Sequence, residues 1–349
     1  MKIVLDDIKG KNNLYPFTAT RSVADIRVGI LTIREKWEKL LGRKINTISE
    51  ISSNDIEMEE MEKIPANIIL SQQWVDSFVS KENNIAGTIL EYPWHIFQNN
   101  DQALREDFDL ICRDRMSSPI SSTNKTISPG NIFIEEGAVI EHSILNASDG
   151  PIYIGKNAMV MEGCLIRGPV AICEGGIVKM GAKIYGATTI GPYCMAGGEI
   201  KNSVLFGYSN KAHDGYLGDS VIGEWCNLGA GTSNSNLKNT AGIVKVWVEG
   251  EKEYLAAGVK SGLLMGDYSR SAINTSFNTG TVVGVCCNIF NDRFPPRCIP
   301  DFSWGQEEYK LDKALVDIDN WKKLKGKTIT AGEIKILTDI YYSQKISNA

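Results

Sequence analysis

The sequence predicts a mainly β protein whose central region, 131–289, is a parallel β-helix of six-residue repeats. A small amino-terminal α/β domain precedes it and helices follow. Three observations carry this reading. First, an aliphatic residue or alanine recurs at every sixth position, at Ile154, Val160, Ile166, Ile172, Val178, Ile184, Ile190 and Ala196. Second, Gly155, Gly163, Gly168, Gly175, Gly181, Gly186, Gly191 and Gly197 stand between them, where a tight corner leaves little room for a side chain. Third, six matches neither the helical repeat of 3.6 nor strand alternation, so the chain must turn once per repeat. Three such strands close a triangular coil of about 18 residues, and coils stack at roughly 4.8 Å.

In chain order, residues 1–118 form the α/β domain, with a strand over 2–5, an amphipathic helix over 28–41, a strand over 67–70 and further helical stretches. Residues 119–305 hold the solenoid. After a two-residue slip its register is expected to return at Val204, Asn210, Tyr216, Ile222, Leu228 and Asn234. It is expected again at Val259, Met265, Phe277, Val283 and Ile289, with Ser271 at the intervening place. Two interruptions fall at 146–154 and 236–260, and the larger reads as a hairpin of 244–248 and 253–256 around Glu249-Gly250. Insertions in a solenoid emerge as loops on one face, often the face that binds. Residues 306–349 read as two helices split at Gly326, with Trp321, Ile334, Ile336, Leu337 and Tyr341 on an apolar face. They either cap the solenoid or pack on a neighbouring subunit.

Composition narrows the function. The 349 residues are 43% hydrophobic and 23% charged, enough for two domains with cores. With 37 basic against 42 acidic side chains, the net charge of -5 excludes the basic character of nucleic-acid binders. The opening MKIVLDDIKG breaks its apolar stretch with two aspartates, as a first strand does and a secretory leader does not. No run approaches the roughly 18 apolar residues that span a bilayer, so no membrane partner and a cytoplasmic location are expected. There is no CxxC pair among the eight cysteines, and Cys164, Cys173, Cys194, Cys226, Cys286 and Cys287 lie in the repeats, where buried reduced thiols are expected.

Histidine is scarce: His95, His142 and His213. A β-helix that hydrates carbon dioxide on a metal needs three histidines from stacked coils. Two of the three lie outside the solenoid or at its very start, so no metal is assigned. His213 stands apart in a stretch where polar groups crowd a normally apolar repeat. A lone histidine is more often structural than catalytic, and the residues alone leave both readings open.

Within that stretch, Glu199-Ile200-Lys201, then Lys211-Ala212-His213-Asp214-Gly215-Tyr216-Leu217-Gly218-Asp219, then Asn227-Leu228-Gly229-Ala230-Gly231-Thr232 and Asn236 fall at a fixed order and spacing. This run resembles the acetyltransferase half of the bifunctional GlmU enzymes, which acetylate glucosamine 1-phosphate and then uridylylate the product. The resemblance implies that His213 is the general base, that Lys201 holds the sugar phosphate, and that Tyr216 and Asn227 contact the sugar. It implies that Asn236 orients the histidine or lines the acceptor site, and that Ala230, with Gly231 beside it, lies along acetyl-CoA with an N–H near the thioester oxygen. Lys183 falls where the family has an arginine on the phosphate, and Leu237 where it has a tyrosine. A base of near-neutral pKa suits the chemistry, because a sugar ammonium must lose its proton to attack a thioester. The developing oxyanion then needs a donor already in place. The resemblance further implies left-handed winding and a homotrimer with acetyl-CoA between neighbouring coils.

At the amino terminus, Asn13-Leu14-Tyr15-Pro16-Phe17-Thr18 followed by Arg21 is similar to the opening of sugar nucleotidyltransferases. In those enzymes a glycine-rich loop with an arginine meets the nucleotide phosphates. Here Lys9-Gly10-Lys11-Asn12 stands in the loop's place, Arg21 is the candidate nucleotide contact, and the domain has about half the usual length. Mg2+ is implied only if this domain is active. With EYPWHIF, DFDLI, NTGTVVG and FPPRCIPDFSW, the whole chain looks like compact GlmU-type proteins. Two rivals remain: a sugar-1-phosphate nucleotidyltransferase whose solenoid only trimerises it, and a non-catalytic scaffold.

Overall fold

The computed structural model describes residues 3–51, 61–71, 74, 77, 80, 87–290 and 294–347. The eight aliphatic positions from Ile154 to Ala196 are all buried in one apolar cluster along the solenoid axis. Main-chain pairing runs between coils: Ile154 is in parallel register with Ile172, and Ile172 with Ile190. In chain order, the first face is a six-stranded sheet from Lys125–Ile127 to Tyr216–Gly218. The second is a nine-stranded sheet from Ile132–Ile134 to Cys298–Ile299, and the third a ten-stranded sheet from Val139–Ile140 to Glu307–Glu308. All eight cysteines are free, and the six in the repeats are buried.

The register after Ala196 departs from the expected one. Ile200, Leu205, Lys211 and Leu217 face the axis, in place of Val204, Asn210 and Tyr216, and the expected register resumes at Ile222, Leu228 and Asn234. The cause is a pair of short corners. Ile184 pairs with Ile200, and Ile190 with Leu205, where earlier coils advance by 18 residues. Val204 is buried too, but outward, against the amino-terminal region. Met265, Phe277, Val283 and Ile289 face the axis as expected, whereas Val259 is exposed because the hairpin before it extends to Gly258.

The amino-terminal region is built from small pieces. Strand Ile3–Asp6 pairs in parallel with Glu62–Pro65, and Ile68–Ile69 pairs antiparallel with Thr88–Ile89; Lys2, expected in the first strand, lies outside the described residues. Helix α1 (Ile33–Leu41) starts at a capping box of Thr32 and Glu35 and ends at Gly42 in the left-handed region. It starts later than expected because Gly29, at φ +80, reverses the chain beside Asn100. Helices α2 (His95–Gln98) and α3 (Asn100–Cys112) follow in the same region. Its apolar side chains share a cluster with Val204, Phe206, Val221, Leu264 and Val282, so it lies over the second face. The hairpin, Val244–Val248 and Glu253–Gly258, buries Val244, Val246 and Val248 in the same cluster. The insertion thus folds back on the amino-terminal region.

Helices α4 (Leu311–Lys323) and α5 (Ala331–Ser347) pack on Trp225, Tyr268, Val285, Cys286 and Phe302 of their own solenoid. No helix among the described residues is long and apolar enough to cross a membrane.

Candidate active site

The polar run of the sequence maps onto one edge of the prism, where the third face turns into the first. Strand Asn210–Lys211 enters this edge and Tyr216–Gly218 leaves it, with His213 exposed at the corner between them. The corner one coil earlier, Ala196-Gly197-Gly198-Glu199, is two residues short and retreats toward the axis. It lies so close that a Cβ on Gly197 would stand 2.7 Å from the Ala212 carbonyl carbon and closer still to its oxygen. His213 therefore stands on a ledge. No hydrogen bond holds its imidazole among the described residues, so both ring nitrogens are open to a bound molecule.

One coil later lies Gly229-Ala230-Gly231. The Gly231 N–H donates to the Asp214 carbonyl at 3.1 Å, and the Asn274 N–H to the Ala230 carbonyl at 2.7 Å. The Ala230 N–H donates to no group among the described residues. A free main-chain donor one coil from an open imidazole is the arrangement an oxyanion needs.

Beyond the edge, on the first face, Lys183, Glu199 and Tyr216 share one column, and Tyr185 and Lys201 the next. Lys183 Nζ lies 3.7 Å from Glu199 Oε2, and Tyr185 donates to Glu199 Oε1 at 2.7 Å. Lys201 Nζ sits 5.5 Å from the centre of the Tyr185 ring. The Tyr216 hydroxyl accepts from Asn236 Nδ2 at 3.2 Å. Burial, reinforced by the nearby Asp219 carboxylate, pushes its pKa up to about 12, so it remains a neutral phenol. Asn236, at the root of the hairpin, also donates to Asp219, which accepts from Asn202 at 2.6 Å. Its amide thus holds Tyr216 and Asp219, and His213 receives nothing from it. Asn227 lies on the other side of the edge, on the third face, accepting from Asn210 at 3.5 Å. Lys325, just past α4, closes over this side by donating to Asn210 Oδ1 at 3.1 Å and the Tyr193 carbonyl at 2.6 Å.

Arg21 is not part of this edge. Its guanidinium donates to Asp267, lies 3.5 Å from Glu224 and packs over the Phe206 ring, while Thr20 donates to the same Asp267 carboxylate at 2.6 Å. The charge expected to meet nucleotide phosphates is enclosed and already neutralised, and it clamps the amino-terminal region to the solenoid. A cavity of about 1250 Å³ opens at the last coils, between Phe290, Phe302 and Tyr341, and is lined by none of the site residues. Among the described residues no group of three or more His, Cys, Asp or Glu is arranged to hold a metal.

Lys211 is the residue that sequence reasoning missed. It faces the axis, is almost fully buried, and its Nζ donates to the carbonyls of His213 and Gly197. Burial pushes its pKa down to about 8. The signal was present in the sequence, because counting the corner after Ala196 as two residues short puts Lys211, not Asn210, in the axial column.

Known proteins resemble this chain in sequence. The family model described as sugar nucleotidyl transferase matches residues 2–52. A protein of Methanococcus maripaludis named bifunctional protein GlmU is 28% identical over 227 residues, covering 64% of this chain and 47% of that protein. Its counterpart in Methanocaldococcus jannaschii is 27% identical over 275 residues, covering 76% and 60%. The chain is similar to these GlmU proteins over about two thirds to three quarters of its length. A third relative, named bifunctional sugar-1-phosphate nucleotidylyltransferase/acetyltransferase, from Sulfurisphaera tokodaii, is 38% identical over 92 residues, or 26% of this chain and 23% of its own. The chain spans about half the length of the curated relatives it matches.

Proposed function

We propose that the solenoid is an acyltransferase moving an acetyl group from acetyl-CoA to the amine of an amino-sugar phosphate, with glucosamine 1-phosphate as the first candidate acceptor. The observation that carries this reading is the edge itself: an open imidazole, an unspent main-chain N–H one coil away, and two lysines on the adjoining face.

In this reading His213 takes a proton from the acceptor amine as its nitrogen bonds to the thioester carbonyl carbon. The carbonyl oxygen gains charge and is met by the Ala230 N–H, with Gly231 leaving room for the donor's chain. The intermediate collapses, the C–S bond breaks, and the proton held by His213 passes to the departing sulfur, giving an amide and a free thiol. Lys201 and Lys183 hold the phosphate as point charges. Tyr216, fixed by Asn236, and Asn227 hydrogen-bond the sugar hydroxyls from opposite sides of the edge.

A homotrimer in the cytoplasm completes the proposal. Ile127, Ile144 and Leu165 on the first face and Val139 and Met159 on the third are exposed, and such columns favour burial against a second copy. A second reading, nucleotidyl transfer by the amino-terminal region with Mg2+, is favoured by the family match over 2–52. Pyrophosphate release from UTP and N-acetylglucosamine 1-phosphate tests it.

The test of the main reading is mass-spectrometric detection of the N-acetylated sugar phosphate after incubation with acetyl-CoA. One acetyl per thiol released is the expected result. No acetylated product from any of the common hexosamine 1-phosphates would overturn the assignment.

A further inference from the structure

We infer that Lys211 is a positioning residue for His213, its ammonium pinning from inside the solenoid the main chain of the corner that carries the imidazole. The inference rests on the acyl-transfer reading for its consequence, but the geometry stands apart from it.

Packing alone does not call for a lysine here. The axial column is otherwise apolar or small around it: its partner in the preceding coil is Ala196, and Leu228 follows in the next. A cation sealed in such a column is costly unless something is gained. No carboxylate lies within ion-pairing distance of Lys211 among the described residues, and its Nζ is met by main-chain carbonyls. Those two carbonyls, of Gly197 and His213, belong to the shortened corner and to the ledge that follows it. One donor group thus ties the two corners whose offset leaves His213 exposed. Removing the donor would free the His213 peptide to rotate, and the imidazole would lose its fixed direction while its ring remained present.

The pin is also titratable. Asp214, on the same corner, is the charged group that acts on Lys211. The corners stacked before and after it, 196–198 and 229–231, bring no titratable side chain. As pH rises past about 8 the ammonium becomes an amine, a weaker donor to a carbonyl, and the corner loosens.

The experiment follows the His213 imidazole by proton NMR in the full-length protein. Only three histidines are present, and His213→Gln assigns the resonance. In wild type the His213 signal is expected to show its own titration and a second inflection near pH 8. In Lys211→Met that second inflection is expected to vanish and the signal to shift at pH 7. In parallel, thiol release by Lys211→Met should show kcat lowered about tenfold or more with KM within about twofold. Superimposable His213 titration curves in wild type and variant would overturn the inference. Should Lys211→Met not fold, Lys211→Leu, with the residue type that fills the next place in the column, decides: a His213 signal superimposable on that of wild type overturns it equally. Should wild type release no thiol, the acyl-transfer reading fails while the NMR comparison still decides whether Lys211 positions His213.

Discussion

Replacing Gly197 by alanine tests whether the short corner sets the place of His213. The added carbon would lie 2.7 Å from the Ala212 carbonyl carbon and closer still to its oxygen, distances that real Cβ atoms do not adopt. Both atoms are main chain, one residue from His213, so no flexible side chain can yield. Relief requires the ledge to move outward by about 1 Å, and a displacement of that size in a reacting group costs roughly 10²-fold in rate. The same overpacking should destabilise the fold by about 1–3 kcal/mol. The assay is thiol release at saturating substrates beside a denaturant melt. Gly130→Ala is the control, since nothing lies within 4 Å of its added carbon and both readings should stay near wild type. A Gly197→Ala enzyme with wild-type rate would refute the argument that the shortened corner positions the base.

Other consequences are equally open to measurement. Lys201→Ala should raise KM for the sugar phosphate about tenfold with kcat little changed, because a phosphate contact is made equally in ground and transition states; steady-state kinetics checks it. Arg21→Met leaves the Asp267 carboxylate buried without its cationic partner and should cost about 3–5 kcal/mol in a urea melt. Lys211 links stability to pH. Its folded pKa of about 8 lies below the unfolded value near 10.4, so the unfolded chain holds the proton more tightly. The group's penalty is therefore full below pH 8, roughly 3 kcal/mol at most, and fades as pH rises toward 10.4. Lys211→Met should accordingly be at least as stable as wild type at pH 7, with the difference shrinking by pH 9.5 in paired denaturant melts.

The parts of the fold governed by strict periodicity were legible. Eight aliphatics spaced by six are sufficient to place the axis, since no other arrangement buries all of them. The register failed where the corners shortened: a deletion at Gly197-Gly198 changes which residues face inward without changing the composition of the strands. Asn210 and Lys211 differ by one position, and only the three-dimensional pairing with Met195 and Ala196 separates them. The nearness of the candidate residues was legible because they lie within about forty positions of one another, so stacking of adjacent coils brings His213, Ala230, Tyr216 and Lys201 to one edge or the face beside it. Asn236 and Arg21 were harder. Asn236 meets Tyr216 and Asp219 about one coil back, but the shortened corners before them hide which side chains share a face, whereas Arg21 meets Asp267 through packing across 246 residues, of which spacing along the chain carries no trace. The sharing of apolar contacts between the described amino-terminal residues and the solenoid was hidden in the sequence, since Val204 and Phe206 read as solenoid residues until their outward neighbours are seen.

The central claim is that the imidazole of His213, held on its ledge, is the base for acyl transfer. The most direct measurement is free-thiol release from acetyl-CoA with glucosamine 1-phosphate, comparing wild type with His213→Ala at matched melting temperature. Release by wild type and its loss by about a hundredfold or more in the variant is the predicted result. An undiminished rate in His213→Ala would contradict the account at its centre.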